Sequence, residues 1–192
     1  KAAAVFTRWA ASHTDCLIAP TGKVRMLLQG YGVRQPVFVV PSGIDLTPFS
    51  GEADPWRTAV LRASLNIPTD RTILVFVGRL AEEKNIDELL RCRAALGSAP
   101  VTLLLVGDGP DRPRLERETA ALGLTAPDVI FAGMVAPEQV ADWYRLGDLF
   151  VSASTSETQG LTYIEALAAG VPTLCRADPC LTGVIRSGEN GW

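Results

Sequence analysis

The chain has 192 residues, 47% of them hydrophobic, with 18 Lys plus Arg against 21 Asp plus Glu and a formal net charge of −3. That is enough for one domain and part of another, and the balance excludes a disordered tail, a collagen-like chain and a strongly basic nucleic-acid binder. The scattered Cys16, Cys92, Cys175 and Cys180 and the single His13 form neither a disulfide scaffold nor a zinc cluster, and suit a reducing, cytosolic compartment.

In chain order, residues 1–42 read as a helix (2–12), a short strand (16–19), a helix opening near Thr21 and a second strand (37–40). Arg8 and Trp9 interrupt the opening apolar stretch, so it lacks signal-peptide architecture. Two strands and two helices make a poor domain alone. They are expected to be the trailing edge of a preceding α/β domain, and the start at Lys1 and stop at Trp192 read as cuts in a longer protein. Pro41-Ser42-Gly43-Ile44-Asp45 is the expected crossing, which divides the chain into 1–42 and 43–192. A helix over 55–65 leads into the second part.

From residue 71 apolar runs and helical patterns alternate. Strands are expected at 72–77, 101–106, 128–132, 148–152 and 172–175, and helices at 85–96, 112–122, 137–146 and 161–169. Most of the strand runs are too apolar to alternate, as in parallel strands covered on both faces. The spacing is that of βαβ units, and the fold expected is a doubly wound α/β domain. No run reaches the roughly 18 to 20 apolar residues that a spanning helix needs.

Two segments carry candidate chemistry. In Val77-Gly78-Arg79-Leu80-Ala81-Glu82-Glu83-Lys84-Asn85 a strand ends on a glycine, where backbone can approach a ligand, and two cations follow before a helix. Arg offers a planar donor fork and Lys a compact charge, a sound pair for a diphosphate. The plainer reading is a solvated loop in which Lys84 pairs with Glu82 or Glu83. In the second, 156–165, Gly160 fits a tight helix entry that leaves the N–H groups of Leu161 and Thr162 open to an anion or sugar oxygen. Glu157 and Glu165 flank them, and ionised carboxylates accept hydrogen bonds from paired hydroxyls. A helix-capping role would account for Glu157 but less easily for Glu165.

Gly107-Asp108-Gly109-Pro110 is a turn by composition that could also approach a ligand. A dinucleotide GxGxxG with its later acid, a Walker loop and a Ser-His-Asp triad are all absent from the sequence. His13 reads as structural or solvent-exposed, and Trp9, Trp56 and Trp143 as packing groups.

Together these segments resemble the retaining nucleotide-sugar glycosyltransferases of the GT-B fold, family 4. The resemblance rests on Val39-Val40-Pro41-Ser42-Gly43-Ile44-Asp45, Phe76-Val77-Gly78-Arg79-Leu80, Glu83-Lys84-Asn85, Gly107-Asp108-Gly109-Pro110, Phe131-Ala132-Gly133, and the two glutamates Glu157 and Glu165. The wording Glu157-Thr158-Gln159-Gly160-Leu161-Thr162 is similar to bacterial members that glucosylate diacylglycerol. The resemblance implies that 1–42 closes an acceptor-side domain and 43–192 is a C-terminally truncated, Rossmann-like donor domain.

It implies roles as well. Arg79 and Lys84, beside Gly78, would hold the donor diphosphate and stabilise the leaving nucleotide. Glu157 would contact the donor-sugar hydroxyls, with amides around Gly160, Leu161 and Thr162 assisting. Glu165 would take the ribose hydroxyls, and Met134 and Val135 would lie near the base. The activity implied is hexose transfer from a nucleoside-diphosphate sugar, taken as UDP-glucose, to an acceptor hydroxyl with retention, in glycolipid biosynthesis if the acceptor is diacylglycerol. No metal or other cofactor is expected, because no DxD follows an apolar strand. The acceptor, the family's sugar-contacting histidine and any peripheral membrane attachment would belong to a segment before Lys1, so this piece alone is expected to be inactive. Nucleic acid is not an expected partner. The alternatives are a UDP-sugar 2-epimerase-like enzyme and a non-catalytic nucleotide-sugar-binding module.

Overall fold

In the computed structural model, which describes residues 2–192, the chain divides into two compact units. The first comprises the residues up to Ile44 together with 157–160 and 177–182. It contains α1 (Ala2–Ala11), β1 (Leu17–Ala19), α2 (Gly22–Gly30) and β2 (Val37–Val39). The two strands pair in parallel, Leu17 opposite Val37. Thr21 caps α2 from an extended backbone, its hydroxyl accepting from Val24 N–H at 3.4 Å. A short 3-10 turn, Pro179–Leu181, is capped by Asp178, which accepts from Cys180 N–H at 2.9 Å.

The second unit comprises α3 (Thr47–Ser50), α4 (Pro55–Ser64), β3 (Thr72–Val77), α5 (Ile86–Ala95), β4 (Val101–Val106), α6 (Arg112–Ala121), β5 (Val129–Gly133), α7 (Val140–Leu146), β6 (Leu149–Ser152), α8 (Leu161–Ala168) and β7 (Thr173–Cys175). Its five strands are all parallel, in the order β5-β4-β3-β6-β7. Alternate side chains serve opposite faces. Phe76, Leu103, Leu105, Val129 and Val151 meet Ile86, Leu90 and Leu115 of α5 and α6. On the other face Phe150 lies between Tyr144 of α7 and Tyr163 of α8, with ring centroids 5.8 and 5.3 Å away. Each fully buried Leu or Phe here contributes about 1.5–3 kcal/mol. Covering on both faces is why these strands are mostly apolar.

The doubly wound expectation holds, with local corrections. The helix expected over 137–146 opens as a 3-10 turn, Pro137–Gln139, closed by Gln139 N–H to Ala136 C=O at 2.9 Å, before α7 begins. Trp9 and Trp56 are not packing groups: they are 60% and 74% exposed, because α1 buries only Ala11 and α4 buries no residue fully. His13 is exposed, its ring 5.0 Å from that of Trp9. Cys16, Cys92, Cys175 and Cys180 form no disulfide among the described residues. Among the described residues no helix is long and apolar enough to cross a membrane.

The amino ends of the central strands are tied by charge. Arg93 is 2% exposed and donates to the carbonyls of Val101 (2.8 Å) and Gly97 (3.0 Å) and to Asp128 (2.5 Å). Arg71 reaches the same carboxylate at 2.7 Å. Removing Arg93 leaves the Gly97 carbonyl without this donor and takes one of two cations from Asp128. Arg93→Leu is therefore expected to lower stability by about 3 kcal/mol, read as a lower urea midpoint, with the carboxyl-end loops undisturbed.

Candidate functional site

The order of the sheet defines one crevice. The chain enters at β3, moves outward through β4 to β5, then crosses back to place β6 and β7 on the other side of β3. Ligands of open α/β sheets bind outside the carboxyl ends of the strands at such a reversal. The loops after β3 and β6 flank it, and they carry the Arg79–Lys84 segment and the approach to α8.

Glycine packing sets the course of the first loop. Gly78 takes φ +154° and Gly107, at the end of β4, takes φ +125°. A Cβ on Gly107 would lie 2.0 Å from Gly78 O. Two backbones therefore run in direct contact, joined by Gly78 N–H to Val106 C=O (2.9 Å) and Leu80 N–H to Asp108 C=O (3.0 Å), while Gly107 N–H reaches Gly133 C=O (2.8 Å). The 107–110 turn thus serves to seat the neighbouring loop. Beyond it Arg79 extends outward, its side chain 64% exposed and ion-paired with Glu83. Lys84 is half-buried at the end of a 3-10 turn, Glu82–Lys84.

Asn85 joins the two loops. It sits in the left-handed region at φ +49°, and its side-chain amide donates to Ala153 C=O (3.1 Å) and Thr155 Oγ1 (3.2 Å) just after β6. Ser156 Oγ donates in return to Glu83 C=O at 3.4 Å. Further along, Leu161 and Thr162 form the first turn of α8, where backbone N–H groups lack intrahelical acceptors.

Glu165 lies within α8 and is half-buried; its Oε2 accepts from the hydroxyl of Tyr144 at 2.7 Å. Burial pushes its carboxyl above the usual glutamate range, and the Tyr144 hydrogen bond offsets this in part. The Tyr144 phenol is in turn held far above its ordinary value by burial and by the neighbouring carboxylate. After β5, Gly133 turns at φ +78°, leaving Met134 82% exposed and Val135 partly covered.

In the second unit Gly78, Arg79 and Lys84 follow β3, Met134 and Val135 follow β5, and Leu161, Thr162 and Glu165 lie on α8, the helix after β6. Glu157 and Gly160 belong to the first unit. Gly160 takes φ +73° immediately before α8, the conformation expected for the turn into that helix.

Residues 58–192 match the family of group 1 glycosyl transferases. The chain belongs to that family. It is 38% identical over 174 residues, 89% of this chain and 39% of the relative, to the alpha-monoglucosyldiacylglycerol synthase of Streptococcus pneumoniae. To the D-inositol 3-phosphate glycosyltransferase of Nocardia farcinica it is 35% identical over 192 residues, 94% of this chain and 41% of the relative. The chain thus spans about two fifths of the curated relatives it matches. A crystal structure of Anabaena HepE in complex with UDP and glucose superposes with a TM-score of 0.85 at 23% identity, covering 98% of this chain and 51% of that one. The fold of this group 1 glycosyl transferase is the α/β arrangement of GT-B enzymes.

In this group 1 glycosyl transferase two side chains that support the site leave no signature in the sequence. Asn85 stands at the start of the 85–96 helical pattern and within Glu83-Lys84-Asn85, and neither place shows its side-chain bonds to Ala153 and Thr155, 68 and 70 positions away. The hydroxyl of Tyr144, the donor to Glu165, has a partner 21 residues away that no local pattern shows.

Proposed function

We propose that the full-length protein transfers a hexose, with glucose from UDP-glucose as the first choice, to an acceptor hydroxyl with retention of configuration, and that the acceptor is a diacylglycerol-type lipid. The observation that carries the donor half is the crevice at the β3/β6 reversal, with Arg79 and Lys84 on one loop, Glu165 beyond the other, and Asn85 fastening the two. A diphosphate there meets two cations and the first-turn amides of α8. This charge set stabilises a departing nucleotide without a metal. Glu165 takes the ribose hydroxyls. Glu157 takes the donor-sugar hydroxyls, a role that rests on the family resemblance. The lipid acceptor is supported by the names of two relatives, both alpha-monoglucosyldiacylglycerol synthases. A lipid acceptor also implies peripheral attachment at the cytoplasmic membrane face.

The test is product analysis of the full-length protein with UDP-glucose and diacylglycerol in EDTA buffer. An α-linked glucolipid is expected. A new UDP-sugar epimer from UDP-glucose alone, or donor binding without any product, would overturn the reading.

The Glu165–Tyr144 pair makes a pH prediction. Only the ionised carboxylate accepts from both ribose hydroxyls, so UDP-glucose affinity is level at neutral pH and falls on acidification, with a midpoint above the ordinary glutamate value because burial raises this acid. Tyr144→Phe removes the bond that favours the anion, so the acid limb moves to higher pH. Glu165→Gln abolishes it. Calorimetric titrations with UDP-glucose across pH 4–8 read all three; UDP-glucose is the suitable probe because its diphosphate is fully esterified.

A further inference from the structure

The loop Glu157–Gly160 is held residue by residue within the first unit. Lys23 Nζ donates to the Glu157 carbonyl at 2.7 Å, and Thr21 Oγ1 donates to the Thr158 carbonyl at 2.8 Å. The Gln159 side-chain amide pairs with the backbone of Ser42 in both directions, each bond 2.9 Å. Three consecutive residues thus meet three separate groups more than a hundred positions earlier in the chain.

Lys23 differs from the other two because it is itself fixed by charge. Its ammonium lies 2.5 Å from Asp178 Oδ2, and the Asp178 side chain is only 6% exposed. Burial raises that carboxyl, but hydrogen bonds from Lys23 and Cys180 outweigh it and leave the acid below its ordinary range. The other oxygen of Asp178 caps the Pro179–Leu181 turn. A charged, half-buried donor anchored at both ends fixes an acceptor more sharply than a solvated lysine would. What it fixes is the carbonyl of the residue whose carboxylate was assigned to the donor sugar.

We infer that Lys23, braced by Asp178, is a positioning residue for donor-sugar recognition: it sets the backbone of Glu157 and thereby the direction of the Glu157 carboxylate. This deepens the proposed function and rests on the role given there to Glu157. Lys23 itself touches no substrate. Displacement of a reacting or binding group by about 1 Å is enough for a hundredfold loss, so the effect is large without any contact being removed.

The experiment uses the full-length enzyme and compares UDP with UDP-glucose, which differ by the sugar that Glu157 reads. Lys23→Met is expected to weaken UDP-glucose affinity and lower kcat/KM together by about tenfold or more, while UDP affinity stays within about twofold. Lys23→Arg, which keeps a cationic donor, restores most of the loss. Adding Lys23→Met to Glu157→Gln costs nothing further, because both act through one carboxylate. The inference is overturned if UDP and UDP-glucose affinities fall together, if Lys23→Met is silent while Glu157→Gln is not, or if the two losses multiply. If Glu157→Gln itself leaves the discrimination between UDP and UDP-glucose intact, the proposed role of Glu157 fails instead. Asp178→Asn, which loosens the brace but keeps the lysine, gives the same reading should Lys23→Met fold poorly.

Discussion

Lys84→Ala in the full-length enzyme is expected to lower kcat/KM for sugar transfer by about a hundredfold or more, the usual cost of one preorganised electrostatic donor. Negative charge grows on the leaving diphosphate as the glycosidic bond breaks, so a fixed cation there binds the transition state better than the ground state. Loss of UDP affinity is therefore smaller than loss of rate, on the order of 1–3 kcal/mol. Arg79→Ala acts in the same direction but less strongly. Arg79 is mostly exposed and paired with Glu83, whereas Lys84 is half-buried and directly precedes Asn85, the residue that joins the two loops. An exposed ion pair is worth about 0–1 kcal/mol, so Glu83 gives up Arg79 to a diphosphate at little cost. Initial-rate kinetics and UDP calorimetry on both variants measure the two quantities separately. Unchanged UDP affinity and unchanged rate in both would remove the diphosphate assignment.

The apolar runs 72–77 and 101–106 coincide with β3 and β4 to the residue because both faces of those strands are covered and most positions face a core. The shorter strands are less sharply marked: the reading 172–175 starts one residue before β7, where Pro172 cannot donate to a ladder. Charge at the carboxyl ends was legible as well, since a glycine followed by Arg79 and Lys84 has to lie there once the βαβ order is known. The membership of 157–160 was not legible. That loop looks like a simple approach to α8, yet its backbone is held by Thr21, Lys23 and Ser42. Sequence patterns report periodicity within an element; a lysine that pins a carbonyl 134 positions away leaves no periodic trace. The acid in Glu165 could be read from its place in a helix among apolar residues, but not its proton affinity, which depends on burial and on the Tyr144 hydroxyl.

Gly107→Ala is expected to cost about 4 kcal/mol or more, the range reserved for a core clash or backbone strain without relief. Two terms add. At φ +125° a side chain is strained whatever the space around it, and here the new Cβ would sit 2.0 Å from Gly78 O, a backbone atom that cannot rotate away. Gly123→Ala isolates the first term: its φ is +71° and a Cβ there would meet nothing within 4 Å, so strain of about 1–2 kcal/mol is all that is expected. The gap between the two urea midpoints therefore measures the close approach of the β3 and β4 backbones. Relief of the clash requires the Gly78 strand end to move, and with it Leu80, whose N–H is bonded to Asp108 C=O. Arg79 lies between those two anchors. Any Gly107→Ala protein that remains folded should therefore lose UDP affinity out of proportion to Gly123→Ala, and a folded variant with both its stability and its UDP affinity intact would show that the glycine contact does not seat the cation loop.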